Sequence, residues 1–150
     1  MIESMGGTFT RAADLYAGTG AMGIEALSRD VPWCDFVEQD RRLCQVIKRN
    51  LETTGLADRA RVYCSPVAKA MGFLTEPCDL FFVDPPYRKG YVRATLDLLA
   101  ASRLALPGAV IVAEHEEELE PQAAHGPLRL VKTRRHGDTG VSIYRKEMPA

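Results

Sequence analysis

The residues best suited to chemistry form the run Asp79-Leu80-Phe81-Phe82-Val83-Asp84-Pro85-Pro86-Tyr87. A continuous apolar run closed by a breaker predicts a strand buried on both faces, as in a parallel sheet. Proline donates no ladder hydrogen bond, so Pro85 and Pro86 must end that strand and leave Asp84 at its carboxyl end. Ligands of open α/β sheets bind at that edge. Each proline fixes its own φ and restricts the residue before it, so the turn is stiff. Asp84 and the Pro85 carbonyl can each accept a hydrogen bond from the exocyclic amine of a nucleobase, and Tyr87 can stack on the base. An ordinary strand-ending turn with an exposed acid uses the same residue types. The elements around the loop decide between the two.

A second chemical stretch lies near the N-terminus. Ala12 to Ala17 reads as a strand, and it runs into Gly18-Thr19-Gly20-Ala21-Met22-Gly23, a G-x-G-x-x-G pattern. A helix is expected from Ala21 to Ser28. Glycines at this place permit a tight turn and a close approach of backbone to ligand, and the helix N-terminus faces that ligand. Trp33 to Val37 reads as the next strand and ends in Glu38-Gln39-Asp40. An acid there, about 20 residues past the glycine loop, suits the two hydroxyls of a ribose. A solvated helix-capping acid is the alternative reading of Glu38, and the spacing favours the ribose. A nicotinamide-dependent dehydrogenase would use the same turn and the same acid.

The remaining elements must hold these two loops together. Asp40 to about Thr54 is expected to be a helix with Leu43, Val46, Ile47 and Leu51 inward and Arg41, Arg42, Lys48 and Arg49 in solvent. Gly55 stops it. Arg61 to Cys64 reads as the third strand, and Ser65-Pro66 as the cap and first turn of a helix reaching about Leu74. Arg88-Lys89-Gly90 is a basic loop, open to a phosphate contact or to plain solvation. The fourth helix is expected over Tyr91 to Leu104, with a turn at Leu106-Pro107-Gly108 and a buried fifth strand over Ala109 to Ala113. His115 follows close to the ligand edge and reads as structural. Leu128 to Arg135 and Val141 to Arg145, joined at Gly137 to Gly140, form an antiparallel hairpin. Its cations can attract RNA phosphates or protect an exposed edge.

With 150 residues, 46% of them hydrophobic and 26% charged, the chain suits one folded domain spanning 1–150 and excludes a disordered one. A formal net charge of -1 argues against nonspecific nucleic-acid binding by the whole surface. No apolar run reaches membrane-spanning length and no signal peptide is recognisable, so a cytoplasmic protein with no membrane partner is expected. Cys34, Cys44, Cys64 and Cys78 lack C-x-x-C spacing and are expected to be reduced, mostly buried thiols, with no metal.

Five strands alternating with helices, then a hairpin, predict an α/β, mainly parallel, seven-stranded sheet with an antiparallel C-terminal hairpin. This order resembles the three-layer Rossmann-like fold of class I S-adenosylmethionine-dependent methyltransferases. The stretch from Asp14 to Arg29, Phe36-Val37-Glu38, the D-P-P-Y loop and the ending from His136 to Tyr144 resemble the RsmD family, whose members methylate the N2 amine of a guanine in small-subunit ribosomal RNA. The resemblance covers nearly the whole chain. It implies S-adenosylmethionine as cofactor, held near Asp14, Tyr16, Ala17, Gly18, Gly20, Glu38, Gln39 and Asp84. It implies a flipped guanine at Asp84, Pro85, Pro86 and Tyr87, and the small-subunit RNA or the small subunit itself as partner of a monomeric enzyme. Two departures stand out. The family's basic N-terminal segment is expected to be absent, since Met1 lies only a few residues before the first strand, and Ser65-Pro66 stands where the family often has an Asp for the adenine. An adenine-N6 methyltransferase, sharing the D-P-P-Y loop, and a non-catalytic cofactor- or RNA-binding module remain as alternatives.

Overall fold

The structure is a computed structural model and describes residues 8–86, 90–116 and 120–149. Among the described residues, twelve strands and α-helices follow in order: β1 (Ala12–Leu15), α1 (Ala21–Ser28), β2 (Cys34–Glu38), α2 (Arg41–Thr53), β3 (Ala60–Cys64), α3 (Val67–Phe73), β4 (Cys78–Val83), α4 (Tyr91–Ala101), β5 (Ala105–Glu116), β6 (Ala124–His125), β7 (Leu128–His136) and β8 (Thr139–Lys146). They build one sheet in the order β3-β2-β1-β4-β5-β8-β7-β6. β1 to β5 pair in parallel, and β8 runs antiparallel between β5 and β7. This is the expected three-layer Rossmann-like class with its C-terminal hairpin. It carries one strand more than the expected seven, because the short β6 pairs with the start of β7.

The apolar runs explain the layers. In β4, Phe81 and Val83 face one way and pack with Leu96 and Leu99 of α4 and with Val67 and Ala70 of α3. Leu80 and Phe82 face the other way and pack with Leu27 of α1 and with Ile47 and Leu51 of α2. Burying each such side chain contributes about 1.5–3 kcal/mol, so a sheet covered on both faces requires strands without polar alternation. β8 obeys the same rule. Its Ser142 and Tyr144 are as buried as Val141 on the opposite face. The alternation of Val141, Ser142, Ile143 and Tyr144 therefore does not mark a solvent face.

Chain order reverses at β1, which has β2 on one side and β4 on the other. The crevice at the carboxyl ends of β1 and β4 is thus the topological switch point where such sheets bind ligands. Both stretches singled out for chemistry end there: the glycine loop follows β1 and Asp84-Pro85-Pro86 follows β4.

Several local expectations are corrected. β1 stops at Leu15, because Tyr16 turns to φ 60. α4 stops at Ala101, short of Leu104, and the Leu104 N–H is taken up by Ser102 Oγ at 3.0 Å. The turn expected at Leu106-Pro107-Gly108 is instead a bulge inside β5: Cys78 pairs with Ala105 and Leu80 with Val110. A bulge needs no ladder donor at Pro107 and accommodates Gly108 at φ +83. The segment leading into β1 is pinned by Asp79, whose carboxylate accepts the Thr10 and Arg11 N–H groups at 2.9 and 3.1 Å.

Candidate functional site

The turn after β1 is held from three sides. The Gly18 N–H donates to Glu38 Oε1 at 2.8 Å and the Asp40 N–H donates to Glu38 Oε2 at 2.8 Å. From beneath, Asp14 Oδ2 accepts the Gly23 N–H in the first turn of α1 at 3.0 Å. Asn50 Nδ2 of α2 donates to the Thr19 carbonyl at 3.0 Å. Gly20, at φ +85, needs its hydrogen side chain for a second reason: a Cβ would meet Ile47 Cγ2 at 3.2 Å and Phe36 Cε2 at 3.3 Å. Glu38 therefore ties the end of β2 to the glycine loop before any ligand enters. A carboxylate has about four acceptor sites, so two remain open to a ligand.

Asp14 is 3% exposed, and burial lifts its carboxyl to about 8, with Asp84 and Glu38 adding to the rise and the Gly23 hydrogen bond opposing it. Asp84 opens onto the crevice. Protein packed around its carboxyl, and then the neighbouring Glu114 of β5 that shares a hydrogen bond with it, raise it to about 6.

The crevice is a cavity of about 710 Å³, within the range of small-molecule sites. Tyr16, Ala17 and Gly18 form its floor, Glu38, Gln39 and Asp40 one wall, and Asp84 with Pro86 the rim beside β4. Asp14 and Gly20 do not line it; they shape it from behind. Pro85 is buried next to the rim. Tyr87, Arg88 and Lys89 lie outside the described residues. Among the described lining residues, the charged ones are Glu38, Asp40 and Asp84, and none is a Lys or Arg.

Sequence reasoning did not find the far wall, made by Tyr91, Ala94, Thr95 and Leu98 of α4. Thr95 Oγ1 donates to the Tyr91 carbonyl at 2.8 Å, so the Tyr16 hydroxyl donates to Thr95 Oγ1, at 2.7 Å. The Tyr16 and Tyr91 rings stack 6.4 Å apart. The left-handed backbone at Tyr16 is what turns its ring toward α4. A positive φ at a bulky residue is held only by its surroundings and clusters at ligand clamps. Ser65, Pro66, Val67 and Ala68 complete the lining beside β3. Ser65 does not cap α3 as expected: Pro66 holds the N-cap position and Ser65 Oγ donates to the Pro66 carbonyl at 3.0 Å. Asp40 does cap α2, accepting the Arg42 and Leu43 N–H groups. His115 is structural, buried between β5 and β8 with Nε2 at 2.6 Å from Ser142 Oγ.

The sheet order, the clamped glycine loop and the carboxylate at the end of β4 define a Rossmann-like methyltransferase fold. The family model described as conserved hypothetical protein 95 matches residues 1–145. YlbH of Bacillus subtilis is 37% identical over 139 residues, covering 91% of this chain and 76% of that protein. Ribosomal RNA small subunit methyltransferase D of Escherichia coli strain K12 is 34% identical over 137 residues, covering 89% of this chain and 67% of that protein. A conserved hypothetical protein of Streptococcus pyogenes superposes with a TM-score of 0.90 at 30% identity, covering 97% of this chain and 92% of that one. The chain belongs to this family of RsmD-like methyltransferases.

Proposed function

We propose that the chain transfers a methyl group from S-adenosylmethionine to the exocyclic N2 amine of a guanine in small-subunit ribosomal RNA. The observation that carries the reading is the charge of the cavity. Three carboxylates, those of Glu38, Asp40 and Asp84, line it. Such a site favours a cation and disfavours a pyrophosphate, which a nicotinamide dinucleotide would bring. The name of the Escherichia coli relative supports ribosomal RNA of the small subunit as the methylated molecule.

When bound, S-adenosylmethionine supplies an electrophilic methyl group on a sulfonium. The residues suited to hold it are the Gly18 loop, Glu38 with Gln39 for the ribose, and the apolar Pro66 and Leu98 for the base. Asp84, ionised above about pH 6, and the Pro85 carbonyl accept the two amine hydrogens of the guanine. This leaves the nitrogen lone pair directed into the cavity. Transfer is accelerated mainly by that positioning. Asp84 is not assigned as a strong base, because the amine becomes acidic only as its new bond forms. The enzyme is taken to act as a monomer in the cytoplasm, without a metal, on the RNA or the small subunit. Among the described residues no helix is long and apolar enough to cross a membrane.

Asp84→Ala tests the assignment. Label transfer from S-adenosylmethionine to unmodified small ribosomal subunits is expected to be abolished, with the cofactor still bound. Normal turnover in this variant would refute it.

A further inference from the structure

Outside the cavity, two thiols meet that the sequence separates by 20 positions: Cys44 Sγ lies 2.7 Å from Cys64 Sγ. Their elements force the meeting. Cys64 ends β3 and pairs with Glu38 of β2, while Cys44 sits in the first turns of α2, directly over that strand end. The Cys44 thiol donates to the Glu38 carbonyl at 3.1 Å. Cys64 is exposed, whereas Cys44, Cys34 and Cys78 are buried.

The spacing selects the chemistry. A disulfide needs about 2.05 Å between sulfurs, about 0.65 Å less than their present separation. A shared tetrahedral metal would hold two thiolates about 3.8 Å apart, and among the described residues no cluster of three or more metal-ligating side chains exists. We propose that Cys44 and Cys64 form a reversible intramolecular disulfide when the protein meets a peroxide.

The steps balance. The Cys64 thiolate attacks one peroxide oxygen, an S–O bond forms, the O–O bond breaks, and the departing hydroxide takes a proton to become water. Cys44 sulfur then attacks the sulfenic sulfur of Cys64. The S–S bond forms, the S–O bond breaks, and hydroxide leaves with the Cys44 proton as a second water. Each sulfur gives up one electron and the peroxide gains two. The roles follow from position: the exposed thiol reacts first, and the buried one, pushed up to about 12 chiefly by burial, resolves. The bond would tie α2 to β3 across Glu38, Gln39 and Asp40, and would remove the Cys44 donor from the Glu38 carbonyl. One cavity wall thereby becomes sensitive to oxidation.

The test is titration of the reduced full chain with hydrogen peroxide, followed by alkylation and peptide mass mapping. The expected product is a Cys44–Cys64 peptide pair lighter by two hydrogens, restored by dithiothreitol, with Cys34 and Cys78 unoxidised. Cys44→Ser is expected to stop at a Cys64 sulfenic acid that dimedone traps, and Cys64→Ser to resist oxidation. Cys64 sulfinic acid with Cys44 still free in the parent chain, or Cys64–Cys64 linked dimers as the main product, would overturn the proposal.

Discussion

Asp14→Asn probes a buried carboxyl that keeps its proton up to about pH 8. Asp14 is buried beneath the glycine loop and titrates at about 8 instead of 3.8. The sign follows from linkage. The folded chain holds the proton more tightly than the unfolded chain does. The stability Asp14 contributes is therefore fully present below about pH 4, and it is lost as pH rises through about 8. Each pH unit inside that window costs about 1.4 kcal/mol. About four units give a ceiling of about 6 kcal/mol, comparable with the whole stability of many domains at about 5–15 kcal/mol. Asparagine replaces the protonated carboxyl with a group of the same shape, keeps an oxygen for the Gly23 N–H and does not titrate. Urea unfolding of both proteins at several pH values between about 5 and 8 measures the difference. The variant is expected to gain on the parent chain by up to about 1.4 kcal/mol per pH unit. A constant difference, or a parent chain that gains on the variant as pH rises, would refute the buried-proton argument.

Other outcomes follow from the same geometry. Glu38→Gln offers one acceptor oxygen where Gly18 and Asp40 present two N–H groups; calorimetry is expected to show S-adenosylmethionine affinity reduced about 10- to 100-fold. Methyl transfer by the parent chain is expected to rise with pH through about 6, as Asp84 ionises, and a flat profile across that region would count against its role as acceptor. Gly23→Ala would drive a Cβ into the Phe36 ring and within 2.9 Å of Cys34 Sγ. Overpacking costs about 1–3 kcal/mol, against at most about 1 kcal/mol gained from helix propensity, so a lower urea midpoint is expected.

The parallel strands were legible because burial on both faces leaves an uninterrupted apolar run, as in Leu80 to Val83. The two loops at the switch point were legible because glycine and proline act locally on the backbone. What stayed hidden depends on contacts distant in sequence. The α4 wall could not be read, since Tyr91, Thr95 and Leu98 look like the polar or loose side of an amphipathic helix until Tyr16 stacks on Tyr91 and bonds Thr95. The twisted φ of Tyr16 carries no local signal, because the residue is neither glycine nor asparagine. The bulge at Leu106 to Ala109 looked like a turn, because proline and glycine mark both. Glu38 was read as a ribose ligand, but its hold on Gly18 and Asp40 depends on loop geometry that spacing alone does not reveal. Cys44 and Cys64 seemed unrelated for the same reason: the β2–β3 register brings them together.

Methylation of unmodified small ribosomal subunits, free ribosomal RNA and duplex DNA side by side, with digestion and identification of the labelled nucleoside, tests the central reading most directly. The account predicts label in the ribosomal samples, released as N2-methylguanine. Label only in DNA, label released as N6-methyladenine, or no transfer by a chain that still binds S-adenosylmethionine would contradict it.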